Sequence, residues 1–346
     1  MADRTGSPSN RKGTTPKCVA TQVKAGVDRL SLSFPVEVAD GDDTSWDTIS
    51  HTSPGFPNET WTWGKTVLLT GGGSVYVGVS ASAKFNQHMQ WGKLEFNPSR
   101  LADPEGFGLA SVAETMWAVG KAQAALTDLV RPVDSDPLQW NLKRIDVARD
   151  FYDVDEAGQM IRSLGAIHRP WSRLNQTHAD PKRHGAQTLF VGSGAGGVRL
   201  YDKNAETKGE APIGTVRWET EARAWAKNYG GMKFFGDVNQ GSVECLARDR
   251  WEWSQMGAEV AGNTARLVKL VYATEMSTSL KRGFLGFLIE QSAGMCSVTS
   301  PTTLAKYRKL QRELGIAAPA DFGTMIEVAR RLDWESGREV VSVKAA

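Results

Sequence analysis

The sequence predicts an α+β fold: an antiparallel β-sheet core with flanking helices, followed by a mainly helical C-terminal region. Three observations carry this. Short runs of period-two alternation recur between residues 27 and 225, some of them joined by glycine turns. Apolar residues at helical spacing interrupt those runs at 111–129 and 155–164. Beyond about residue 245 the pattern turns to helix, over 259–274, 280–291, 302–314 and 319–332. The 346 residues suit about two domains, and the change in character places a boundary between 230 and 245. The expected organisation is a flexible basic arm (1–24), a β-rich domain (25–235) and a helical domain (245–346).

Taken in order, residues 1–20 are rich in Ser, Thr, Gly and Pro and carry Arg4, Arg11, Lys12 and Lys17 against Asp3, a composition too polar to order itself. Residues 29–34 alternate as a strand that Pro35 and an acidic stretch, 40–47, bring to an end. Residues 66–70 and 75–79 flank Gly71-Gly72-Gly73 and read as a hairpin. Strands follow at 89–96, 142–151, 188–191, 198–203 and 214–225. Between two of them lies a polar segment, 166–186, with His168, Arg169, Arg173, His178, Lys182, Arg183 and His184 against the single acid Asp180.

Composition excludes several classes. Forty-one Lys and Arg against thirty-nine Asp and Glu leave a net charge of +2, so the chain is neither a polycation nor an acidic disordered tail. No apolar stretch approaches the ~20 residues of a membrane helix, and the first twenty residues lack the core of a signal peptide. A cytoplasmic protein with no membrane partner is expected. The three cysteines, Cys18, Cys245 and Cys296, lack metal-ligand spacing, so free thiols and no structural zinc are expected. The small net charge conceals an uneven distribution. The arm, the segment 168–184 and the helix 302–314 each carry an excess of three positive charges. The remainder is acidic.

Two phosphate-binding motifs fail on context. Gly192, Gly194 and Gly197 match GxGxxG, but the residues that follow alternate like a strand, where a dinucleotide site needs a helix. Gly64-Lys65-Thr66 resembles the end of a phosphate loop, yet Glu59 stands where its first glycine belongs. ATP hydrolysis is therefore not expected.

Sharper constellations lie on strands. Period two puts Arg144, Asp146 and Asp150 on one face of their strand, with Ile145 and Val147 opposite. Carboxylates in mid-strand are ligands that Mg²⁺ or Mn²⁺ prefers, but from this segment alone a solvated strand face or an Asp–Arg pair is the more common arrangement. In the next charged strand Arg199, Tyr201 and Lys203 share a face. Cations beside a tyrosine lower the cost of its phenolate, which suits a nucleophile, although a strand tyrosine is commonly a core residue. Arg217, Glu219 and Glu221 share a third face, and Glu95 lies on a fourth strand. Four strands thus each offer an acid or a tyrosine on a charged face.

The succession Val27-Asp-Arg-Leu-Ser-Leu-Ser-Phe34, Lys93-Leu-Glu-Phe96, Arg144-Ile-Asp-Val-Ala-Arg-Asp-Phe151, Thr188-Leu-Phe-Val-Gly-Ser193, Val198-Arg-Leu-Tyr-Asp-Lys-Asn-Ala-Glu206 and Val216-Arg-Trp-Glu219 resembles the Rep_trans-type rolling-circle replication initiators of plasmids, phages and integrative elements. The resemblance covers roughly residues 25–230, and its most specific part is the Tyr-x-Lys-x-x-Glu run of Tyr201, Lys203 and Glu206. It implies a sequence-specific, metal-dependent DNA nickase and strand transferase acting through a 5′-phosphotyrosine. By that resemblance Tyr201 is the nucleophile, Asp146 a metal ligand and Glu95 and Glu219 further ligands, with Arg199 or Lys203 facing the transition state. The metal would be Mg²⁺ or Mn²⁺. Expected partners are origin DNA, both duplex and nicked single strand, a host helicase and a second copy of the chain. Two rival phosphotyrosine chemistries lack their motifs: there is no His-x-His pair, and none of the five histidines has Arg three residues later.

Origin recognition is a separate task. Its candidates are Arg169, Arg173, Lys182 and Arg183 in the basic segment, and Lys306, Arg308, Lys309 and Arg312 on the predicted helix 302–314. Two alternatives stand beside the replication initiator. One is a conjugative relaxase of the same fold. The other is a non-catalytic nucleic-acid-binding protein, whose twelve tryptophans include Trp61, Trp63, Trp91 and Trp218 near strands.

Overall fold

Alternation in Gly26–Glu37 buries Leu30, Leu32 and Phe34 on one face and turns Arg29 to the other, and this strand, β1, lies in the middle of the main sheet. The computed structural model describes residues 25–37, 47–52, 60–82, 90–126, 129–168, 172–175, 188–192, 196–223, 231–261, 264–292, 300–317 and 328–343. The main sheet also contains β2 (Thr48–Thr52), β3 (Thr60–Leu68), β4 (Ser74–Ser82), β5 (Gln90–Phe96), β6 (Arg131–Pro132), β7 (Asn141–Phe151), β8 (Ser172–Asn175), β9 (Thr188–Val191), β10 (Val198–Asp202) and β11 (Val216–Arg223). Its order is β2-β3-β4-β5-β1-β7-β11-β10-β9-β8, with β6 paired to the end of β1, and the pairs are antiparallel. The turn between β3 and β4 is built on Gly71, Gly72 and Gly73, all with positive φ, which is why that stretch is three glycines.

The helices are α1 (Pro98–Ala102), α2 (Val112–Ala124), α3 (Ala157–His168), α4 (Lys203–Glu206), α5 (Gln240–Ser254), α6 (Thr264–Tyr272), α7 (Thr278–Ser292) and α8 (Pro301–Leu314). Ser111 and Glu114 form a reciprocal capping box that starts α2. Ser300, Pro301 and the left-handed Gly315 bracket α8. One apolar core joins the inner sheet face to Ala118, Val119 and Ala122 of α2, Met160, Ile161 and Leu164 of α3, and Val243, Leu246 and Trp251 of α5. Each fully buried Val, Leu, Ile or Met side chain among these contributes about 1.5–3 kcal/mol. This core continues past residue 245 to Met256 and Ala258 and takes in Leu332 and Trp334. A second, smaller core lies among α6, α7 and α8, around Leu267, Val271, Phe284, Phe287 and Leu288.

The expected α+β class, with helices flanking the sheet and continuing in the C-terminal part, is what the molecule has. Two expected helices need correction. Residues 259–261 form a strand, β12 (Glu259–Ala261), ahead of α6. The helix expected over 319–332 is contradicted at its end, where 328–333 is β14 (Val328–Asp333); residues 318–327 lie outside the described set. With β13 (Ile316–Ala317) and β15 (Arg338–Val343) these form a four-stranded sheet in the order β13-β12-β14-β15. Val328 and Leu332 are four residues apart, as a helix face requires, but the turn at Gly337 (φ +66°) pairs their segment with β15, and tertiary pairing overrides the local pattern. The arm 1–24, most of the acidic stretch 40–47, and residues 169–171 and 176–186 of the basic segment lie outside the described residues.

Candidate active site

Neighbouring strands turn charge to the side opposite the core. β7 presents Arg144, Asp146 and Asp150; β11 presents Arg217, Glu219, Glu221 and Arg223; β10 presents Arg199 and Tyr201; β1 presents Arg29. Register sets Asp146 opposite both Arg29 and Glu221, Glu219 opposite Arg199, and Arg217 opposite both Asp150 and Tyr201. Many of these groups are buried, and a buried charge persists only when paired and hydrogen-bonded.

Three guanidinium groups supply the pairing. Arg217 donates to Asp150 through Nε and Nη2 at 2.6 and 2.8 Å, to Asp28 at 2.6 Å and to the Phe107 carbonyl at 2.6 Å. Arg144 grips both oxygens of Asp146 at 2.7 and 2.5 Å and lies 3.1 Å from Glu221. Arg199 donates to Glu219 and reaches Asp146 at 4.0 Å. Burial raises the pKa of Asp146 against the pull of Arg144. Burial, with the charge of Asp28, pushes Glu219 up to about 7, and Arg199 opposes the rise.

Tyr201 is enclosed in this network at 8% exposure. Its hydroxyl donates to Glu219 Oε2 at 3.2 Å. The Lys203 ammonium lies 5.7 Å from the ring centroid and pairs with Glu206 at 2.8 Å. Lys203 does not extend the strand. It opens α4, which Asp202 caps through the Ala205 amide. The three residues expected at the nucleophile are therefore together. Their electrostatics differ from the expectation that flanking cations ease the phenolate: burial and then Glu219 raise the Tyr201 pKa well above its ordinary value, and the cation opposing them is Arg217. Arg199 is turned toward Glu219, which explains the difference.

The metal ligands expected are brought together only in part. Asp146 and Glu219 share one guanidinium, so the position a divalent ion would take between them is filled by Arg199. Glu95 sits farther across the sheet, with Arg29 at 2.9 Å and Lys93 at 2.5 Å. Burial works against its ionisation, but Lys93 and Arg29 prevail and hold its carboxyl below the usual range. Among the described residues no group of three His, Cys, Asp or Glu side chains is arranged to hold a metal. The residues as placed do not fit a divalent ion, since Arg144 holds both oxygens of Asp146 and Arg199 lies between Asp146 and Glu219.

Of the expected origin contacts, Arg169, Lys182 and Arg183 lie outside the described residues, and Arg173 is placed only as backbone in β8. On α8, Lys306 and Lys309 are exposed and Arg308 and Arg312 half-buried, with Lys309 3.6 Å from Glu313. Sequence reasoning missed Asp28 and Arg29 as members of the charged face. The register shift between Val27 and Arg29 allows Asp28 to reach Arg217, and period-two counting carries no signal for such a bulge. No helix among the described residues is long and apolar enough to cross a membrane.

No family profile and no curated protein matches the chain. A solved structure to which it is similar is a rolling circle replication initiator protein from Geobacillus stearothermophilus, at 15% identity and a TM-score of 0.30, over 65% of this chain and 79% of that one. Likeness of this degree establishes neither fold nor family.

Proposed function

We propose that the charged face around Tyr201 nicks and rejoins one strand of DNA, as the initiator of rolling-circle replication of a plasmid or phage. The observation that carries this reading is the pairing of the Tyr201 hydroxyl with Glu219 at 3.2 Å, beside the guanidinium of Arg199. In the step proposed, the phenolic oxygen attacks the scissile phosphorus and its proton passes to Glu219. The bond from phosphorus to the 3′ oxygen breaks, and that oxygen takes a proton from water. A 5′-phosphotyrosine and a free 3′-OH result, the latter able to prime synthesis. Reversal reseals the strand, so cutting consumes no nucleoside triphosphate. Arg199 supplies donors to the non-bridging oxygens as charge develops.

Asp146 and Glu219 are the acids that would hold Mg²⁺ or Mn²⁺ against the scissile phosphate were Arg144 and Arg199 withdrawn from them, and the step above runs without the ion. Origin DNA, a host helicase for unwinding and a second copy of the chain complete the proposed assembly. A non-catalytic nucleic-acid binder is the second reading, favoured by the enclosure of Tyr201 and its raised pKa. Supercoiled DNA carrying the origin separates the two: the parent protein should nick it and form a denaturation-resistant adduct, and Tyr201→Phe should do neither. A fully active Phe variant, or a parent that shifts the DNA without cutting, would overturn the proposal.

A further inference from the structure

A groove of about 1070 Å³ lies beside the charged face, between the β3–β4 turn, α1 and the adjoining parts of β5 and β1. We propose that this groove seats the single-stranded DNA that leads to Tyr201, an inference that rests on the nicking reading for what the strand is delivered to. Four features of the groove support it.

The first is the arrangement of charge. Arg29, Lys93 and Arg100 line the groove with side chains 49%, 47% and 37% exposed, while Glu95, which pairs with the first two, is only 15% exposed. Arg29 and Lys93 face solvent with their acid beneath them, so the surface they offer is positive, while Arg100 pairs at 3.5 Å with Glu210, whose side chain is 58% exposed. Phosphates are the complement of that surface. The second feature is apolar. Leu68 stands 81% exposed at the rim, and the half-buried Leu69 and Tyr76 line the same cavity. In a duplex the base faces are covered by stacking, whereas in a single strand they are free to meet such surfaces. Cations with exposed apolar groups therefore fit a single strand better than a duplex.

The third feature is that the groove is preformed. A Cβ on Gly73 would lie 2.9 Å from the Arg100 carbonyl oxygen, so the turn presses against α1 as only glycine permits. The fourth is continuity. Asp28 lines the groove and accepts from Arg217, which is cross-strand to Tyr201. From β1 to β10 is three inter-strand spacings, about 14 Å at the usual separation of neighbouring strands. A strand lying in the groove reaches the tyrosine by crossing Arg217 and its partners.

The test is binding of a fluorescein-labelled single-stranded oligodeoxynucleotide by full-length Tyr201→Phe protein, followed by anisotropy over a series of KCl concentrations. Because this background cannot form the adduct, binding is read independently of cutting. Lys93→Gln with Arg100→Gln should weaken binding on the order of tenfold at low salt and make the slope of log K against log salt shallower by about 1.4, the loss of two single-strand phosphate contacts. Leu68→Ser should weaken binding and leave that slope unchanged. Circular-dichroism melts equal to the parent's establish that each variant is folded. Parent-like affinity and slope in both variants would overturn the inference, as would an unlabelled duplex of the same sequence competing as well as the single strand. If the adduct forms with Tyr201 present and the groove variants bind normally, the groove alone is refuted. If the groove variants fail to bind as expected and the parent never forms an adduct, the nicking reading alone is refuted.

Discussion

Arg217 is enclosed together with Asp150, and each satisfies the other's charge in a place water does not reach. Arg217→Ala would leave Asp150 and Asp28 without their cation, and breaking a buried pair by removing one partner costs about 3–5 kcal/mol. Urea denaturation should show that loss, and a change below ~1 kcal/mol would mean that the site relaxes or hydrates. Arg199 makes the opposite case. It is partly exposed and holds two buried carboxylates apart from solvent cations. Arg199→Ala should therefore tighten Mn²⁺ binding, read by isothermal titration calorimetry, and adding Asp146→Asn should cancel the gain. No gain would show that Asp146 and Glu219 are not a latent cation pair. Much of this site was legible from spacing. Asp146, Arg199, Tyr201 and Glu219 lie on strands whose alternation is plain, and they face one another. What spacing could not show is which cation serves which acid, because partners come from cross-strand register and from a bulge in β1.

At the scale of elements, β7, β10 and β11 were readable because each keeps one apolar and one polar face, β9 because it is a short apolar run before a glycine turn, and the turn after β3 because it is three glycines. β14 was not readable: Val328 and Leu332 satisfy helical spacing, and only the pairing of Arg330 with Val341 and Leu332 with Glu339 makes them a strand. The link from β11 to α5 depends on a local device of its own. Asp237 accepts from the Phe234 amide at 2.9 Å and the Lys233 amide at 2.8 Å, and these two bonds hold its pKa below the ordinary aspartate value. A depressed carboxyl adds stability that is present above the unfolded pKa of ~3.9 and is lost as pH falls through the folded value. A carboxyl-detected NMR titration of Asp237 should give a midpoint below ~3.9. A midpoint at or above that figure would show that the turn does not hold its charge.

For the whole molecule, the decisive packing is aromatic. Trp334 meets Trp218, Trp251 and Phe151 with ring centroids 5.4, 5.2 and 6.4 Å apart, so a residue beyond β14 completes the core under β7 and β11. Trp334→Ala should cost about 3–5 kcal/mol and be felt in the main sheet, not only in the four-stranded one. Hydrogen exchange of β7 and β11 amides should report it, and unchanged protection there would show that the main core stands without Trp334. The backbone repeats the connection, since the Tyr152 amide donates to the Gly337 carbonyl at 2.9 Å. A ribosome adds on the order of 5–20 residues per second, so roughly ten to forty seconds separate the emergence of Phe151 from that of Trp334. Through that interval the nascent sheet has its strands but not its last wedge, and the sheet that carries Tyr201 becomes whole only late in synthesis.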